Sequence, residues 1–454
     1  MRIRVRRWLV LGFTLVFIVL APLLILYGLG YKYNWQKNRL EKTGVFFVKS
    51  FPKGADIYLD GIKQKKNTPA QLTRLLPKMY EVKIVQNGFL PWTKNLPIYS
   101  QTATFIEDVS LIYEQPKITN LLKSEISEIT ANSDRDNFIF IDQNLGNSSL
   151  WLYETGPDKE TMLYSSKVKK PALSGAEGLK LNNWSNSGQK ILFKEGDDWL
   201  TMNIASPGLT NNLRLIARAQ VKTAAWHSQN DNLVYALKGE QLLLFDLLNR
   251  SVSAVTKDKI SGFMPYQAGV LALAKNLDNF SLKLYLPQET KTLFTLPASA
   301  SYSFSQSQDG QIALADTNFK LLYLLAPENN SQPVAKLLKN VEGFDWFGQE
   351  LIYWDNSELW VYFPQFNQET LLERTSQTIS RAWWHPNAAY VYAVVGDRLK
   401  LYELDSRDNR NVYEIMTVFP EQAGFIFPNK KGDLLYALTT VDGEPGFYQF
   451  ELQP

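Results

Sequence analysis

The longest uninterrupted apolar stretch of the chain lies near its N-terminal end. Residues 8–29 carry no charged side chain, and they directly follow a basic segment with arginine at positions 2, 4, 6 and 7. A helix of about 20 apolar residues crosses a hydrocarbon core of roughly 30 Å, and it satisfies its own backbone hydrogen bonds within lipid. The stretch therefore predicts a transmembrane helix over residues 8–29. Interfacial aromatic residues flank it, Trp8 at one end and Tyr27, Tyr31, Tyr33 and Trp35 at the other.

The same stretch has a second interpretation, as a cleaved signal peptide. The apolar region of a signal peptide normally has about 7–15 residues and ends in a small-x-small site, whereas this stretch is longer and Ala21 precedes Pro22. We therefore predict a signal anchor, with residues 1–7 as a cytoplasmic head and the bulk of the chain outside the cytoplasm. The orientation depends on the arginines of the head, because the far flank is basic as well, at Lys32, Lys37, Arg39 and Lys42.

Residues 44–113 follow a linker over residues 30–43 and show the alternation of β-strands. Polar and apolar positions alternate strictly over residues 80–85, which exposes one face of a strand and buries the other. The Asp60-Gly61 pair stands between two apolar runs and predicts a hairpin, because such turns need positive φ. An all-β domain is therefore predicted over residues 44–113.

The motifs of this region resemble those of the PEGA domain. They are Pro-Lys-Gly-Ala at residues 52–55, Asp-Gly at 60–61, Thr-Pro at 68–69, Pro-Lys-Met-Tyr at 77–80 and Gly-Phe at 88–89. Lys78 stands where the family has a turn glycine, and Phe89 stands where it has tyrosine. The resemblance implies a small β-sandwich without recognised chemistry, exposed in a prokaryotic envelope as a spacer or adhesive module. Trp92, Tyr58 and Phe89 are expected in its core.

Beyond residue 117 the sequence repeats at intervals of roughly 40 residues. Each unit begins with an aromatic residue, followed by a polar turn, an apolar strand, a second turn and an amphipathic strand. The clearest copies are residues 184–193, 226–235, 304–314 and 384–392. Such units predict the four-stranded blades of a β-propeller. They resemble the repeats of TolB-like and WD-type propellers, whose consensus begins Trp-Ser-Pro-Asp-Gly. Residues 171–180 are predicted to be a surface insertion.

The two ends of the repeat region complement each other. Residues 117–122 form a strand ahead of the first copy, and the last copy ends at residues 447–452 without a fourth strand. Pairing these strands closes the ring and hides two edges that would otherwise promote aggregation. The predicted fold is therefore all-β apart from one transmembrane helix, with a small β-sandwich and a β-propeller over residues 117–454. Eight blades are predicted, with seven as the alternative.

Composition excludes several classes of chemistry. Without cysteine the chain has no thiolate nucleophile, thiolate zinc site or iron–sulfur cluster. Its net charge of +3 implies no extended basic face for nucleic acid. The two histidines, His227 and His385, both follow a tryptophan at one repeat position, which assigns them to blade turns. The sequence contains no nucleophile elbow, phosphate-binding loop or zinc-binding helix motif. No catalytic residue, metal site or cofactor is therefore predicted.

Hydrolysis would need a pair of carboxylates, and five aspartates are the carboxylates to consider. The aspartates lie in turns, where local backbone hydrogen bonds already favour this residue type: Asp134, Asp197, Asp198, Asp309 and Asp345. The repeated tryptophans are expected between blades: Trp184, Trp226, Trp346 and Trp384. Trp383 precedes the repeat position and is expected to point the other way along its strand. An exposed indole there would stack on a sugar ring or an aromatic side chain, which makes Trp383 the candidate binding residue.

These features predict a membrane-anchored, externally exposed binding or scaffold protein of the cell envelope. Its partners would be the membrane, through the N-terminal helix, and a protein or glycan recognised by the propeller. Two alternatives remain open: an exported propeller enzyme acting on glycans, and a subunit of an envelope assembly or sensor complex. Two acids facing each other in the central channel would favour the enzyme. The sequence determines neither the ligand nor the oligomeric state.

Overall fold

The computed structural model describes residues 3–123, 126–144, 147–166, 178–298, 301–307, 309–329, 331–418 and 424–454. Their contacts divide into two compact units. Unit 1 contains Met1–Lys117, Glu403–Val412 and Glu451–Pro454, and unit 2 contains Ile118–Tyr402 and Tyr413–Phe450. The sequence predicts contiguous domains, whereas the structure groups two C-terminal segments with the N-terminal unit. Most of the predicted insertion at residues 171–180 lies outside the described residues.

Unit 1 begins with one long apolar helix. This helix, α1, spans Ile3–Gly28, and its 26 residues rise about 39 Å. The segment Trp8–Gly28 is long and apolar enough to cross a membrane, a property that signal sequences share. The helix predicted over residues 8–29 is therefore present, and it begins at Ile3.

Nine strands of unit 1 follow the helix. They are β1 Tyr31–Asn34, β2 Arg39–Lys42, β3 Gly44–Phe51, β4 Asp56–Leu59, β5 Ile62–Lys63, β6 Ala70–Leu75, β7 Met79–Val85, β8 Trp92–Pro97 and β9 Ala103–Ser110. Strands β1 and β2 pair as a separate hairpin, and the others form the sheets β6-β3-β9 and β5-β4-β7-β8. All pairs in these sheets are antiparallel except β3 with β9.

The two larger sheets share one hydrophobic core, as a β-sandwich requires. Burial alternates along β7, as the sequence predicts for residues 80–85. Trp92 and Phe89 belong to the core, whereas Tyr58 is half-buried. The predicted Asp60-Gly61 turn joins β4 to β5, with φ of 49° and 77°.

A buried lysine joins the sandwich to the segment Glu403–Val412 within unit 1. The side chain of Lys94 is 0% exposed, and its Nζ lies 3.1 Å from Glu403 Oε2. The same ammonium donates to the carbonyl oxygens of Asp405 and Arg407. Glu403 in turn accepts the Trp92 indole N–H at 2.8 Å. Every polar group of this cluster therefore has a partner, which a buried charge requires.

Unit 2 consists almost entirely of short antiparallel strands. In chain order they are β10 Lys117–Leu122, β11 Ile126–Ala131, β12 Asn137–Asn144, β13 Asn147–Glu154, β14 Lys159–Ser165, β15 Leu179–Trp184, β16 Lys190–Glu195, β17 Asp198–Asn203, β18 Ser206–Asn212, β19 Thr223–Trp226, β20 Leu233–Lys238, β21 Gln241–Asp246, β22 Ser251–Ala254, β23 Ile260–Tyr266, β24 Gly269–Lys275, β25 Asn279–Tyr285, β26 Thr290–Pro297, β27 Tyr302–Gln306, β28 Ile312–Asp316, β29 Leu321–Leu325, β30 Val334–Lys339, β31 Gly343–Phe347, β32 Glu350–Trp354, β33 Glu358–Phe363, β34 Gln368–Arg374, β35 Ile379–Trp384, β36 Tyr390–Val395, β37 Arg398–Glu403, β38 Val412–Thr417, β39 Ile426–Pro428, β40 Leu434–Val441 and β41 Glu444–Glu451. A short helix, α2 (Leu213–Ala217), follows β18, and a 3-10 turn spans Pro364–Phe366.

These strands form four-stranded sheets in a simple order. Seven sheets are built from four consecutive strands each, from β11–β14 to β35–β38, and we call them sheets 1 to 7. The remaining one, called the closing sheet, has the order β10-β41-β40-β39. The strand over residues 117–122 therefore pairs with the C-terminal strand, as the sequence predicts.

Neighbouring sheets pack face to face around unit 2. Shared hydrophobic clusters join sheet 1 to sheet 2 and so on as far as sheet 6. Sheet 1 also packs on the closing sheet, where Phe138 lies 5.0 Å from the rings of both Tyr436 and Phe447. The first sheet thus meets the last, which is the arrangement of a β-propeller.

Candidate functional site

One cavity in unit 2 is lined by the turns between the first and second strands of five sheets. Its volume is about 550 Å³, and its lining comes from residues 133–135 of sheet 1, 305–307 and 309 of sheet 5, 344–348 of sheet 6, 384 and 386 of sheet 7, and 430 of the closing sheet. Small-molecule and peptide pockets have volumes of about 300–1,000 Å³. The cavity is therefore large enough for a short segment of a polymer.

Five turns between first and second strands share a backbone geometry that puts one residue at positive φ, and four of these turns contribute to the cavity lining. In sheet 1 the Arg135 N–H donates to the Asn132 carbonyl at 3.1 Å. The same bond recurs in sheets 2, 5 and 7 and in the closing sheet. The residue with positive φ is glycine or alanine in these four turns: Gly188, Gly310, Ala388 and Gly432. Glycine suits this position because the left-handed conformation brings Cβ, which glycine lacks, close to the following carbonyl.

Arg135 is the large residue of this series. Its φ is 57°, a conformation that costs a residue other than glycine about 1–2 kcal/mol. Its Nη1 donates to the Pro428 carbonyl at 2.9 Å, and the residue lines the cavity. Burial lowers the pKa of Arg135, while the nearby Asp345 carboxylate acts in the opposite direction. The chain thus accepts backbone strain where it places a guanidinium in the cavity wall.

Asp345 of β31 supplies an anionic group to the same wall. Its Oδ2 accepts the backbone N–H of Trp384, from the neighbouring sheet, at 3.2 Å. Burial raises the pKa of Asp345, although backbone hydrogen bonds and the charges of Arg381 and Arg135 favour the ionised form. The prediction that Asp345 lies in a turn is wrong, because the residue lies within strand β31. Its position directly before the repeat tryptophan was the available signal.

Aromatic side chains form the apolar part of the cavity wall. Four of the lining residues are aromatic: Phe344, Trp346, Phe347 and Trp384. The Trp384 indole donates to the Asp345 carbonyl at 3.3 Å, and the Trp226 indole makes the equivalent bond to Asn183 at 3.1 Å. These bonds place Trp384 and Trp226 between neighbouring sheets, as expected. The cavity therefore combines aromatic faces with two basic residues, Arg135 and Lys430, and three acidic ones, Asp134, Asp309 and Asp345.

The two histidines occupy the turns to which the sequence assigns them. His385 is 1% exposed, and its ring Nε2 lies 3.3 Å from the Gly432 carbonyl. His227 Nδ1 accepts the Gln229 backbone N–H at 3.0 Å. Burial lowers the pKa of both imidazoles. The His385 ring therefore also contacts the turn of the closing sheet, and neither ring lines the cavity.

The expectation that Trp383 presents an exposed indole is wrong. The side chain is 5% exposed. Its ring stacks on Tyr392 at 5.5 Å, and the Arg381 guanidinium lies 5.5 Å from its centre. Trp383 does alternate with Trp384 along β35, yet both faces of this inner strand are covered. A binding role for Trp383 stays a prediction, but the exposure on which that prediction was based is absent.

The other predicted aspartates fall into two groups. Asp134 and Asp309 line the cavity, and Asp134 is paired with Lys430 at 3.0 Å. Asp197 and Asp198 lie at the β16–β17 turn, where Asp198 pairs with Arg214 at 3.1 Å. Among the described residues, no group of three or more His, Cys, Asp or Glu side chains is placed to hold a metal ion.

The fold is similar to that of solved structures with very different sequences. A eukaryotic initiation factor aligns with a TM-score of 0.50 and 10% identity, over 73% of this chain and 90% of that one. A manganese-bound oligogalacturonate lyase aligns with a TM-score of 0.41 and 11% identity, over 75% and 95% of the two chains. Dipeptidyl peptidase 4 of Porphyromonas gingivalis aligns with a TM-score of 0.46 and 9% identity, over 76% and 58%. At such identities the likeness concerns the fold alone.

No curated protein matches the sequence. A protein family matches part of unit 1. Residues 43–108 match the PEGA domain, as the motifs at residues 52–89 indicate.

Proposed function

We propose that this chain is a membrane-anchored binding protein of the cell envelope, whose propeller recognises a segment of a protein or glycan through the cavity of unit 2. The observation that carries the proposal is the composition of the cavity wall. Arg135, Asp345 and aromatic rings face one space, so that a ligand meets a donor, an acceptor and apolar faces together. Such a mixture orients a ligand by a few polar contacts within an apolar site.

The strain at Arg135 supports a role in binding. Glycine stands at the equivalent position of three other turns, so the fold itself accepts glycine there. The turn requires the positive φ but not the arginine, so the choice of a costly residue over glycine supports a function for its side chain. Arg135 is therefore the residue whose loss should affect recognition more than folding.

The placement in the envelope is supported by two features of unit 1. The segment Trp8–Gly28 has the length and composition of a membrane span. The PEGA domain at residues 43–108 implies exposure outside the cytoplasm. The proposed orientation has the N-terminus in the cytoplasm and the chain beyond α1 outside it, because the head carries four arginines before the apolar stretch.

The experiment compares two arginine variants of the full chain. A photo-crosslinking residue at Gln306, which lines the cavity, captures the partner from intact cells. Affinity for the captured partner is then measured for Arg135→Gly and for Arg250→Gly. Arg250 is a matched control, since it also has positive φ (48°) but lies in the exposed β21–β22 turn. We expect Arg135→Gly to weaken binding by about 1–3 kcal/mol and to fold normally. Equal affinities of the two variants would contradict the proposal.

An enzyme acting on glycans is the second candidate, because Asp309 and Asp345 both line the cavity. A general acid needs a raised pKa, and burial raises that of Asp345. Turnover of a glycan that disappears in both Asp309→Asn and Asp345→Asn would favour the enzyme. Binding that survives both changes, without turnover in the parent chain, favours the binding protein.

A further inference from the structure

The hairpin β1–β2 of unit 1 stands apart from the sandwich core. The hairpin begins three residues after α1 ends at Gly28. Its second strand leads back to the start of the hairpin, where the Gly30 carbonyl accepts both the Thr43 N–H at 2.9 Å and the Thr43 hydroxyl at 2.8 Å. None of its residues belongs to the hydrophobic core of the sandwich. Its base is thus fixed to the end of the apolar helix.

The tip of this hairpin exposes an aromatic pair. Trp35 is 86% exposed and Tyr33 is 37% exposed, and the two rings lie 4.7 Å apart, edge to face. Leu40, on the second strand, is 48% exposed. Exposed clusters of large apolar side chains in folded domains mark surfaces that contact a partner or a membrane.

The tip is held in a defined shape by a polar network. Asn34 Oδ1 accepts the backbone N–H groups of Gln36 and Lys37 at 3.1 and 3.2 Å. Asn34 Nδ2 donates to Glu41 at 2.8 Å, and Glu41 also pairs with Arg39 at 2.6 Å. Both Asn34 and Glu41 are buried. The exposure of Trp35 is therefore built into an ordered turn.

The hairpin that carries the aromatic pair is rich in basic residues. The hairpin carries Lys32, Lys37, Arg39 and Lys42 against the single acid Glu41, a net charge of +3. A further cation lies at its base, where the Arg74 guanidinium stacks on Tyr27 and donates to the Tyr27 carbonyl at 2.9 Å. Basic residues next to a membrane helix are attracted by anionic lipid headgroups, and indole rings prefer the headgroup region.

We propose that the β1–β2 hairpin is a lipid-binding element, which inserts Trp35 among the headgroups and binds anionic phospholipids with Lys32, Lys37, Arg39 and Lys42. The occupant is the bilayer crossed by α1, because four residues of strand place the tip within about 13 Å of the end of the helix. The proposal rests on the membrane anchoring of α1 and is independent of what the propeller binds. As a consequence, unit 1 would contact the membrane surface, and the strength of this contact would depend on the content of anionic lipid.

The test uses the full chain in nanodiscs, with a single fluorescent label at Gln36→Cys. The parent chain has no cysteine, so this label is unique, and Trp35 stays in place. Quenching by spin-labelled lipid reports contact with the bilayer, and quenching by iodide reports exposure to water. Discs of phosphatidylcholine alone are compared with discs that contain phosphatidylglycerol.

We expect lipid quenching to dominate in the anionic discs. Lys37→Gln with Arg39→Gln should reduce the preference for the anionic discs by roughly fivefold per basic residue removed, and Trp35→Ser should increase iodide quenching. The control is Lys49→Gln, which removes an exposed lysine of β3 that pairs with Glu107. This variant should change neither the preference for anionic discs nor the iodide quenching. Hydrogen exchange over residues 31–42 verifies that the hairpin remains folded.

Iodide quenching that is equal in both discs and unaffected by Trp35→Ser would overturn the proposal. Resistance to alkaline extraction from membranes is measured in parallel. Extraction of the parent chain would refute the membrane anchor itself, whereas a water-exposed label on a resistant chain refutes only the lipid-binding hairpin.

Discussion

Replacing Lys94 by methionine should destabilise unit 1 more than any exposed charge change in it. The Lys94 side chain is 0% exposed, and its ammonium lies 3.1 Å from Glu403 and 3.8 Å from Asp405. It also donates to the carbonyl oxygens of Asp405 and Arg407. Methionine keeps the length and apolar stem of lysine but leaves a buried carboxylate and two carbonyl groups without their cation.

The expected loss follows from the burial of the pair. Removing one partner of a buried ion pair costs about 3–5 kcal/mol, against a total free energy of unfolding of about 5–15 kcal/mol for a domain. The corresponding fall in melting temperature is about 12 °C or more for a domain of this size. Lys49→Met is the matched control, because the Lys49–Glu107 pair is 2.7 Å apart but 59% and 40% exposed. Such surface pairs contribute about 0–1 kcal/mol.

The assay is calorimetric melting of the full chain, with hydrogen exchange over residues 92–97 and 403–412 to assign the transition to unit 1. Adding Glu403→Gln to Lys94→Met should restore part of the loss, since the uncompensated negative charge disappears while Trp92 keeps a hydrogen-bond acceptor. A loss for Lys94→Met as small as that for Lys49→Met would refute the reasoning. It would mean that the segment Glu403–Val412 does not hold Lys94 in a buried site.

Three further predictions concern unit 2. Trp383→Ala should lower stability by about 3–5 kcal/mol, because the indole is 5% exposed and stacked on Tyr392; an unchanged urea midpoint would contradict its burial. Burial depresses the folded-state pKa of His385 below its unfolded value of about 6.5, so its contribution is complete above that pH and is lost as pH falls through the folded pKa. His385→Asn, which copies the residue at the equivalent turn position of sheet 1, should therefore flatten the decline in melting temperature below about pH 6.5; an equally steep decline in the parent and the variant would argue against it. Deleting residues 117–122 removes the strand β10 from the closing sheet and exposes an edge, so the shortened chain should melt lower and aggregate in light scattering; unchanged behaviour would argue against that pairing.

Local patterns in the sequence determined most of the secondary structure. The uncharged stretch gives a helix, as a run of about 18 or more consecutive apolar residues indicates. The Asp60-Gly61 pair gives a hairpin because both residues tolerate positive φ, which they adopt. The repeated aromatic, turn and strand pattern gives four-stranded sheets, since each unit needs its neighbours to cover its apolar faces. These are effects of short range or of strict repetition, which a single sequence displays.

Contacts between distant segments decided the rest. The sequence favoured an exposed Trp383 from alternation alone, but an inner strand of a propeller is covered on both faces, so alternation does not distinguish surface from core. Only the fold brings Arg135 of sheet 1 to the same cavity as Asp345 of sheet 6, two residues that no local pattern connects. The pairing of Lys94 with Glu403 spans most of the chain as well. Burial and electrostatic partners depend on which segments meet in space, and for this protein the tertiary structure alone determines that.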